Sequence, residues 1–254
     1  MSILNVKNLT KKFRSTLAVD DISFDVKPGE FVGLIGPNGA GKSTLMNCTV
    51  GRILPGSGSI RVNGIDVVQD TLGARRALGF VPQDLDLHGY LTGEEYLFFI
   101  GELRGVPKER LEEEAHELLE LCEIMDARHR VVKEYSGGMA RKLAISGALM
   151  GSPPLLLLDE SFVGLDPEST WKIRERLRKH CEHGGAILLS SHILEMLERV
   201  CTRIVMMKSG KIVLDEEMTV LKRGFDQEND LTRLYLELAG KLEITQTSPP
   251  PQAP

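Results

Sequence analysis

A chain of 254 residues, 42% hydrophobic and 26% charged, has enough apolar material for a sizeable buried core, and 5% aromatics is ordinary globular composition. Thirty-one Lys and Arg against thirty-six Asp and Glu leave a net charge of −5, which disfavours DNA or RNA as a partner because phosphate backbones select basic surfaces. Apolar runs such as residues 155–158 and 186–189 fall far short of the roughly 18 residues of a membrane helix. Residues 1–6 lack signal-peptide features, and Cys48, Cys122, Cys181 and Cys201 form no C-x-x-C pair. The expectation is a cytoplasmic protein with free thiols.

In chain order, residues 3–6, 22–26 and Phe31–Ile35 are short branched or aromatic runs that predict strands, the last two separated by the turn Lys27-Pro28-Gly29-Glu30. Next comes Gly36-Pro37-Asn38-Gly39-Ala40-Gly41-Lys42-Ser43, a G-x-x-x-x-G-K-S loop between a predicted strand and a predicted helix. Glycines there let successive backbone N–H groups converge on phosphate oxygens, and the helix adds its positive end. Lys42 reaches the β- and γ-phosphates and the Ser43 hydroxyl can ligate Mg²⁺. Gly36, Asn38, Gly39, Gly41, Lys42, Ser43 and Thr44 are the candidate phosphate-binding residues.

A hairpin follows at residues 60–67 around Asn63-Gly64, then a strand at residues 78–81. From 83 to 152 strand-like runs give way to helical spacing, as in Leu111, Ala115, Leu118, Leu119 and Cys122, which predicts an inserted helical subdomain with Glu112, Glu113 and Glu114 on its solvated side. After Pro153-Pro154 the order is strand 155–159, helix 167–183, strand 186–190, helix 193–200 and strand 203–207, the alternation of a parallel sheet. A hairpin at Ser209-Gly210 leads to residues 211–214, an amphipathic helix covers 229–242, and the proline-rich residues 245–254 form a disordered tail. The His180-Cys181-x-His183 cluster reads as a polar helix terminus rather than a metal site.

The strand at 155–159 ends in two carboxylates. Asp159 suits a Mg²⁺ shell, and Glu160 is placed to accept a hydrogen bond from an attacking water as general base. With the phosphate loop, this specifies a triphosphatase or a kinase. Tyr135-Ser136-Gly137-Gly138-Met139, about twenty residues upstream, is on its own a helix N-cap and turn.

In order with the other motifs, this segment resembles the L-S-G-G-Q signature of ATP-binding cassette (ABC) transporter subunits, with Tyr135 for Leu and Met139 for Gln. The resemblance runs from about residue 3 to 240. It implies an α/β P-loop NTPase core with an N-terminal antiparallel β subdomain and an inserted α-helical subdomain. The nucleotide-binding domain would span 1–222 (core 1–82 and 153–222, helical subdomain 83–152), followed by a helical extension at 223–244. Phe13 matches the aromatic that stacks on adenine, with a core phenylalanine as its rival reading. Gln83 matches the glutamine that reaches Mg²⁺ or the water, and His192 the histidine at the γ-phosphate. Asp166 matches the aspartate that contacts a partner subunit, and it also suits a helix N-cap. Ser161 and Val163 depart from the family's usual residues beside the catalytic pair.

The resemblance further implies two subunits, identical or different, closing head to tail around two ATP, each nucleotide held between one phosphate loop and the other's Ser136-Gly137-Gly138. They would drive a separate membrane permease from the inner face of the cell membrane. Residues 91–97 and 234–240 are similar to stretches of cassettes paired with ABC-2 type exporters. The alternative is a soluble ABC ATPase of an assembly or regulatory complex, such as iron–sulfur cluster building.

Overall fold

The computed structural model describes residues 1–225 and 230–241. The chain opens with β1 (Leu4–Phe13), β2 (Thr16–Val26) and β3 (Phe31–Ile35), then α1 (Lys42–Thr49), β4 (Ser57–Val62), β5 (Ile65–Asp66), α2 (Thr71–Arg76) and β6 (Leu78–Val81). Three helices, α3 (Gly93–Arg104), α4 (Lys108–Leu121) and α5 (Gly137–Leu149), stand between β6 and β7 (Leu155–Asp159). Then follow α6 (Pro167–Glu182), β8 (Ala186–Ser190), α7 (Leu194–Val200), β9 (Arg203–Lys208), β10 (Lys211–Glu217), α8 (Met218–Leu221) and α9 (Leu231–Ala239).

Two sheets organise these elements. One is antiparallel, in the order β2-β1-β4-β5; the other has the order β10-β9-β3-β8-β7-β6 and is parallel except for its edge strand β10. This is the α/β P-loop NTPase architecture with its antiparallel and helical subdomains. The central strands are apolar on both faces, as a covered parallel sheet requires. Along β7, Leu155 and Leu157 join the core shared with α1 and the antiparallel sheet, whereas Leu156 and Leu158 join the core beneath the helices. The period of two thus divides one leucine run between two cores.

The first two strands are much longer than the expected 3–6 and 22–26. Beyond Val6 the apolar pattern breaks, because the pairing shifts register and Asn8 adopts a left-handed φ of 47°, with its N–H held by Ser23 Oγ at 2.8 Å. A bulge of this kind hides a strand from any alternation rule. The helix α2 was also not expected, since only Ala74 in it is buried and no apolar period exists to read; Asp70 caps it through Gly73 N–H at 2.8 Å. At the turn between β4 and β5, Asn63 and Gly64 have φ of 48° and 81°, as a type I′ hairpin demands. The C-terminal helix is shorter than 229–242 within the described residues: Asp230 caps its start and Gly240, at φ 76°, ends it. Residues 245–254 lie outside the described residues.

Helix ends are set by their side chains. Thr92 and Glu95 form a reciprocal capping box on α3, Ser136 Oγ accepts from Met139 N–H at the start of α5, and Asp166 with Pro167 begins α6. No described helix is long and apolar enough to cross a membrane.

Candidate functional site

The C-terminal ends of β3, β7 and β8 lie side by side, and each delivers a different piece of chemistry. From β3 the chain enters the glycine-rich loop and α1. Gly36 and Gly41 are obligatory there: a Cβ at either would lie 2.2 Å from a backbone oxygen, that of Met207 or Ala18, and Gly41 has a φ of 104°. Lys42 is buried, and its Nζ donates to Gly36 O at 2.7 Å and to Pro37 O at 3.4 Å. Burial lowers its pKa, opposed by the negative charges of Glu160 and then Asp159.

From β7 come Asp159 and Glu160, both buried. Glu160 sits at φ 50°, a left-handed conformation that costs a bulky residue energy and persists only where neighbours impose it. Ser190, at the end of β8 and without exposed surface, is such a neighbour. Its carbonyl accepts from Glu160 N–H at 3.1 Å, its Oγ lies 3.2 Å from the same N–H, and that hydroxyl donates to Asp159 Oδ1. One hydroxyl therefore holds both acidic residues.

His192 follows β8. Its N–H donates to Glu160 Oε2 at 3.3 Å, and its Nε2 lies 3.1 Å from Oε1 without hydrogen-bond geometry. Glu160 Oε1 is thus a buried carboxylate oxygen beside an imidazole with no hydrogen bond of its own. Such an oxygen is costly unless something else donates to it, and a water in the cleft is the natural donor.

These groups share a cleft of about 480 Å³, lined by Asn38, Gly39, Gly41, Lys42, Ser43, Thr44, Gln83, Asp159, Glu160 and His192. Thr16, Ala18 and Ala40 also line it, and sequence reasoning missed them. The first two belong to the hidden part of β2, so no motif could reveal them. Ser190 was also missed; the signal available was the serine pair Ser190-Ser191 ending a buried strand.

Other candidates stand apart from this cleft. Phe13 pairs with Thr16 at the end of the first hairpin, 43% exposed, with Lys11 Nζ 5.1 Å from its ring centroid. It is therefore not a core phenylalanine. Ser136 and Gly137 are exposed at the start of α5, and Gly138 approaches the loop after Glu160 closely enough that a Cβ would lie 3.2 Å from Gly164 O. Asp166 caps α6 through Ser169 N–H at 2.8 Å and also meets Lys142 of α5 at 2.9 Å; these bonds, Lys142 first, hold its carboxyl well below the usual range.

The cluster at the end of α6, expected as a polar helix terminus, is polar but partly buried. His180 is buried with Nε2 lacking a partner, close enough to Gly185 that a Cβ there would meet it at 2.2 Å, while His183 is exposed. Burial lowers His180 to about 4. All four cysteines are buried and free, and burial pushes Cys48 and Cys122 up to about 11 and Cys181 to about 12, which leaves them as unreactive thiols.

A glycine loop ending one parallel strand, a buried lysine behind it and two carboxylates ending a nearby strand define a P-loop nucleoside triphosphatase. Comparison with known proteins narrows the class. The family model for the ABC transporter matches residues 19–163. The ABC transporter ATP-binding protein YxlF of Bacillus subtilis is 35% identical over 95% of this chain and 78% of its own length. The linearmycin resistance ATP-binding protein LnrL of the same organism is 36% identical, covering 83% of this chain and 68% of its own. The Nod factor export ATP-binding protein I of Rhizobium etli is 35% identical, covering 85% and 68%. Among solved structures, an ATP-binding subunit of an ABC transporter superposes with a TM-score of 0.88 at 32% identity, covering 93% of this chain and 99% of that one. A dimeric ATP-binding cassette in a post-hydrolysis state with ADP and Pi gives 0.78 at 27% identity, covering 85% and 98%. The chain belongs to the ABC transporter family, as an ATP-binding and ATP-hydrolysing cassette.

Proposed function

We propose that two such subunits close head to tail around two ATP and that hydrolysis reopens them, driving a separate membrane permease that exports its cargo. The observation that carries this reading is the position of Ser136-Gly137-Gly138. These residues begin the thirteen-residue helix α5, with Ser136 and Gly137 exposed and Gly138 half-buried, yet they do not line the chain's own cleft. A helix N-terminus turned away from its own phosphate site suits a phosphate presented by a second subunit.

Within the cleft, the loop amides and Lys42 bind the phosphates, and Phe13 offers an exposed ring to the base. Glu160 Oε1 accepts from the attacking water, and His192 steadies both that carboxylate and the terminal phosphate. Ser43, Asp159 and Gln83 form an all-oxygen donor set that fits Mg²⁺, and these residues would hold it. When bound, that ion supplies charge neutralisation on the phosphate oxygens. The helical subdomain at 83–152 and the loop at Gln83 are the docking side we assign to the permease, through which the protein would sit on the inner face of the cell membrane. Relatives named for Nod factor export and linearmycin resistance favour export over import.

The test is Glu160→Gln, which keeps shape while removing the base. Turnover should fall by roughly 10²–10⁴, and light scattering should show a dimer with ATP and a monomer with ADP. A variant that stays monomeric in ATP, or retains near-normal turnover, sinks the proposal. Coupling to a permease is tested separately, by gentle solubilisation of membranes and stimulation of ATPase activity by a copurifying six-helix protein; a chain that stays soluble and partnerless favours the assembly or regulatory reading instead.

A further inference from the structure

Helix α5 is tied to strand β6 at both ends, by unlike means. At its C-terminal end the junction is dense. Arg104 of α3 is deeply placed and donates to Gly147 O at 2.8 Å, Ala148 O at 3.0 Å and Met150 O at 2.6 Å, and also to Leu78 O of β6 at 3.2 Å. Beside it, Gly79 runs so close to α5 that a Cβ would meet Ala148 O at 2.1 Å. This end is a fixed point.

At the other end, one turn past the signature, the tie is a single side chain. Arg141 donates through Nη1 to Pro82 O at 3.2 Å and Gln83 O at 3.1 Å. The pairing of β6 with β7 stops at Val81, so these two carbonyls belong to the first residues beyond the ladder. Burial lowers the guanidinium pKa, and the charges of Asp84, Asp159 and Glu160 oppose that effect, so the cation also lies within the field of the catalytic carboxylates. Its neighbour Lys142 reaches the other way, to Asp166 in the loop after Glu160.

We infer that Arg141 is a positioning residue that fixes the Gln83 backbone to the signature helix, so that the Gln83 side chain is held in the cleft only while α5 keeps its place. The geometry is a lever: Arg104 and Gly79 form the fulcrum, and Arg141 links the free end to Gln83. Taken with the head-to-tail dimer proposed above, on which this consequence rests, seating α5 on one nucleotide sets Gln83 over the other. The planar guanidinium suits two adjacent carbonyls, whereas a lysine offers charge on a looser stem.

The test uses the full chain with Arg141→Ala, Arg141→Lys, Gln83→Ala and the Arg141→Ala/Gln83→Ala pair. Binding of a fluorescent ATP analogue is measured in EDTA and across a Mg²⁺ titration, alongside thermal melting. Arg141→Ala should raise the Mg²⁺ midpoint about tenfold, the loss expected for a charged hydrogen bond, while metal-free affinity stays within about twofold. Gln83→Ala should shift the midpoint similarly, the pair should shift it no further, and Arg141→Lys should recover part of the loss. Additive shifts overturn the inference, as does a parallel fall in melting temperature and metal-free affinity, which would mark a mere structural tie. A Glu160→Gln variant that stays monomeric in ATP would sink the dimer alone, because the Arg141–Gln83 coupling is measured within one chain.

Discussion

Replacing Ser190 by alanine removes one oxygen from the centre of the catalytic group. That hydroxyl donates to Asp159 Oδ1 and lies within reach of Glu160 N–H at 3.2 Å, and none of its surface is exposed, so water cannot take its place without rearrangement. Glu160 N–H keeps its bond to Ser190 O at 3.1 Å, so the unmatched loss falls on the buried Asp159 carboxylate. A bond to a charged group is worth about 1.5–3 kcal/mol. A stability loss of about 2 kcal/mol corresponds to a fall in melting temperature of about 4–8 °C in a chain of this size. Turnover should fall further than stability explains, by about tenfold or more, because the carboxylate left without its donor is Asp159, which lines the cleft beside Glu160 and is placed to hold Mg²⁺. Calorimetry and steady-state ATPase assays measure the two effects, with Ser191→Ala as control, since Ser191 Oγ accepts from Ile193 N–H at 3.1 Å and hydrogen-bonds to neither acidic residue among the described residues. Unchanged melting together with turnover within about twofold of the unsubstituted chain would refute the reasoning.

Lys42→Ala should weaken ATP binding by about tenfold or more and prevent ATP-dependent dimerisation, since a charged phosphate contact is lost; unchanged affinity in a nucleotide titration counts against its role. Gly41→Ala should destabilise the chain by more than about 1 kcal/mol and abolish nucleotide binding, because the added Cβ meets Ala18 O at 2.2 Å in a backbone with φ 104°. A variant that melts normally and binds ATP would contradict this. His180 protonates near 6.5 when unfolded and near about 4 when folded. The unfolded state therefore binds more protons between those values, and stability falls as pH drops through that window, by at most about 3 kcal/mol. Denaturant melts should show a shallower pH slope in His180→Phe, and identical slopes would remove His180 as the cause.

Legibility from sequence followed how local each signal was. The glycine loop, the strand ending in Asp159 and Glu160, and the caps at Ser136 and Asp166 depend on neighbours within a few residues, so spacing alone placed them on the right elements. The hidden parts of β1 and β2 were illegible because their pairing shifts register repeatedly, with left-handed residues at Asn8 in one strand and Asp21 in the other, which breaks the alternation. The burial of His180 follows the face it shares with Ile173 and Leu177, whereas its unpartnered Nε2 beside Gly185 depends on a loop no helical period describes.

The sequence carried the available chemistry in local motifs: a glycine-rich loop with Lys42, two adjacent carboxylates at Asp159 and Glu160, and the strand or helix end that presents each one. Only the tertiary structure decided which of these groups meet. Strand order β3-β8-β7 brings Lys42 together with Glu160 and Ser190, which lie more than a hundred residues further along the chain, and leaves Ser136-Gly137-Gly138 outside the cleft they define. The physical reason is that backbone hydrogen bonding and apolar periodicity act locally, whereas the order of strands in a sheet is set by how two separate cores are buried on its opposite faces.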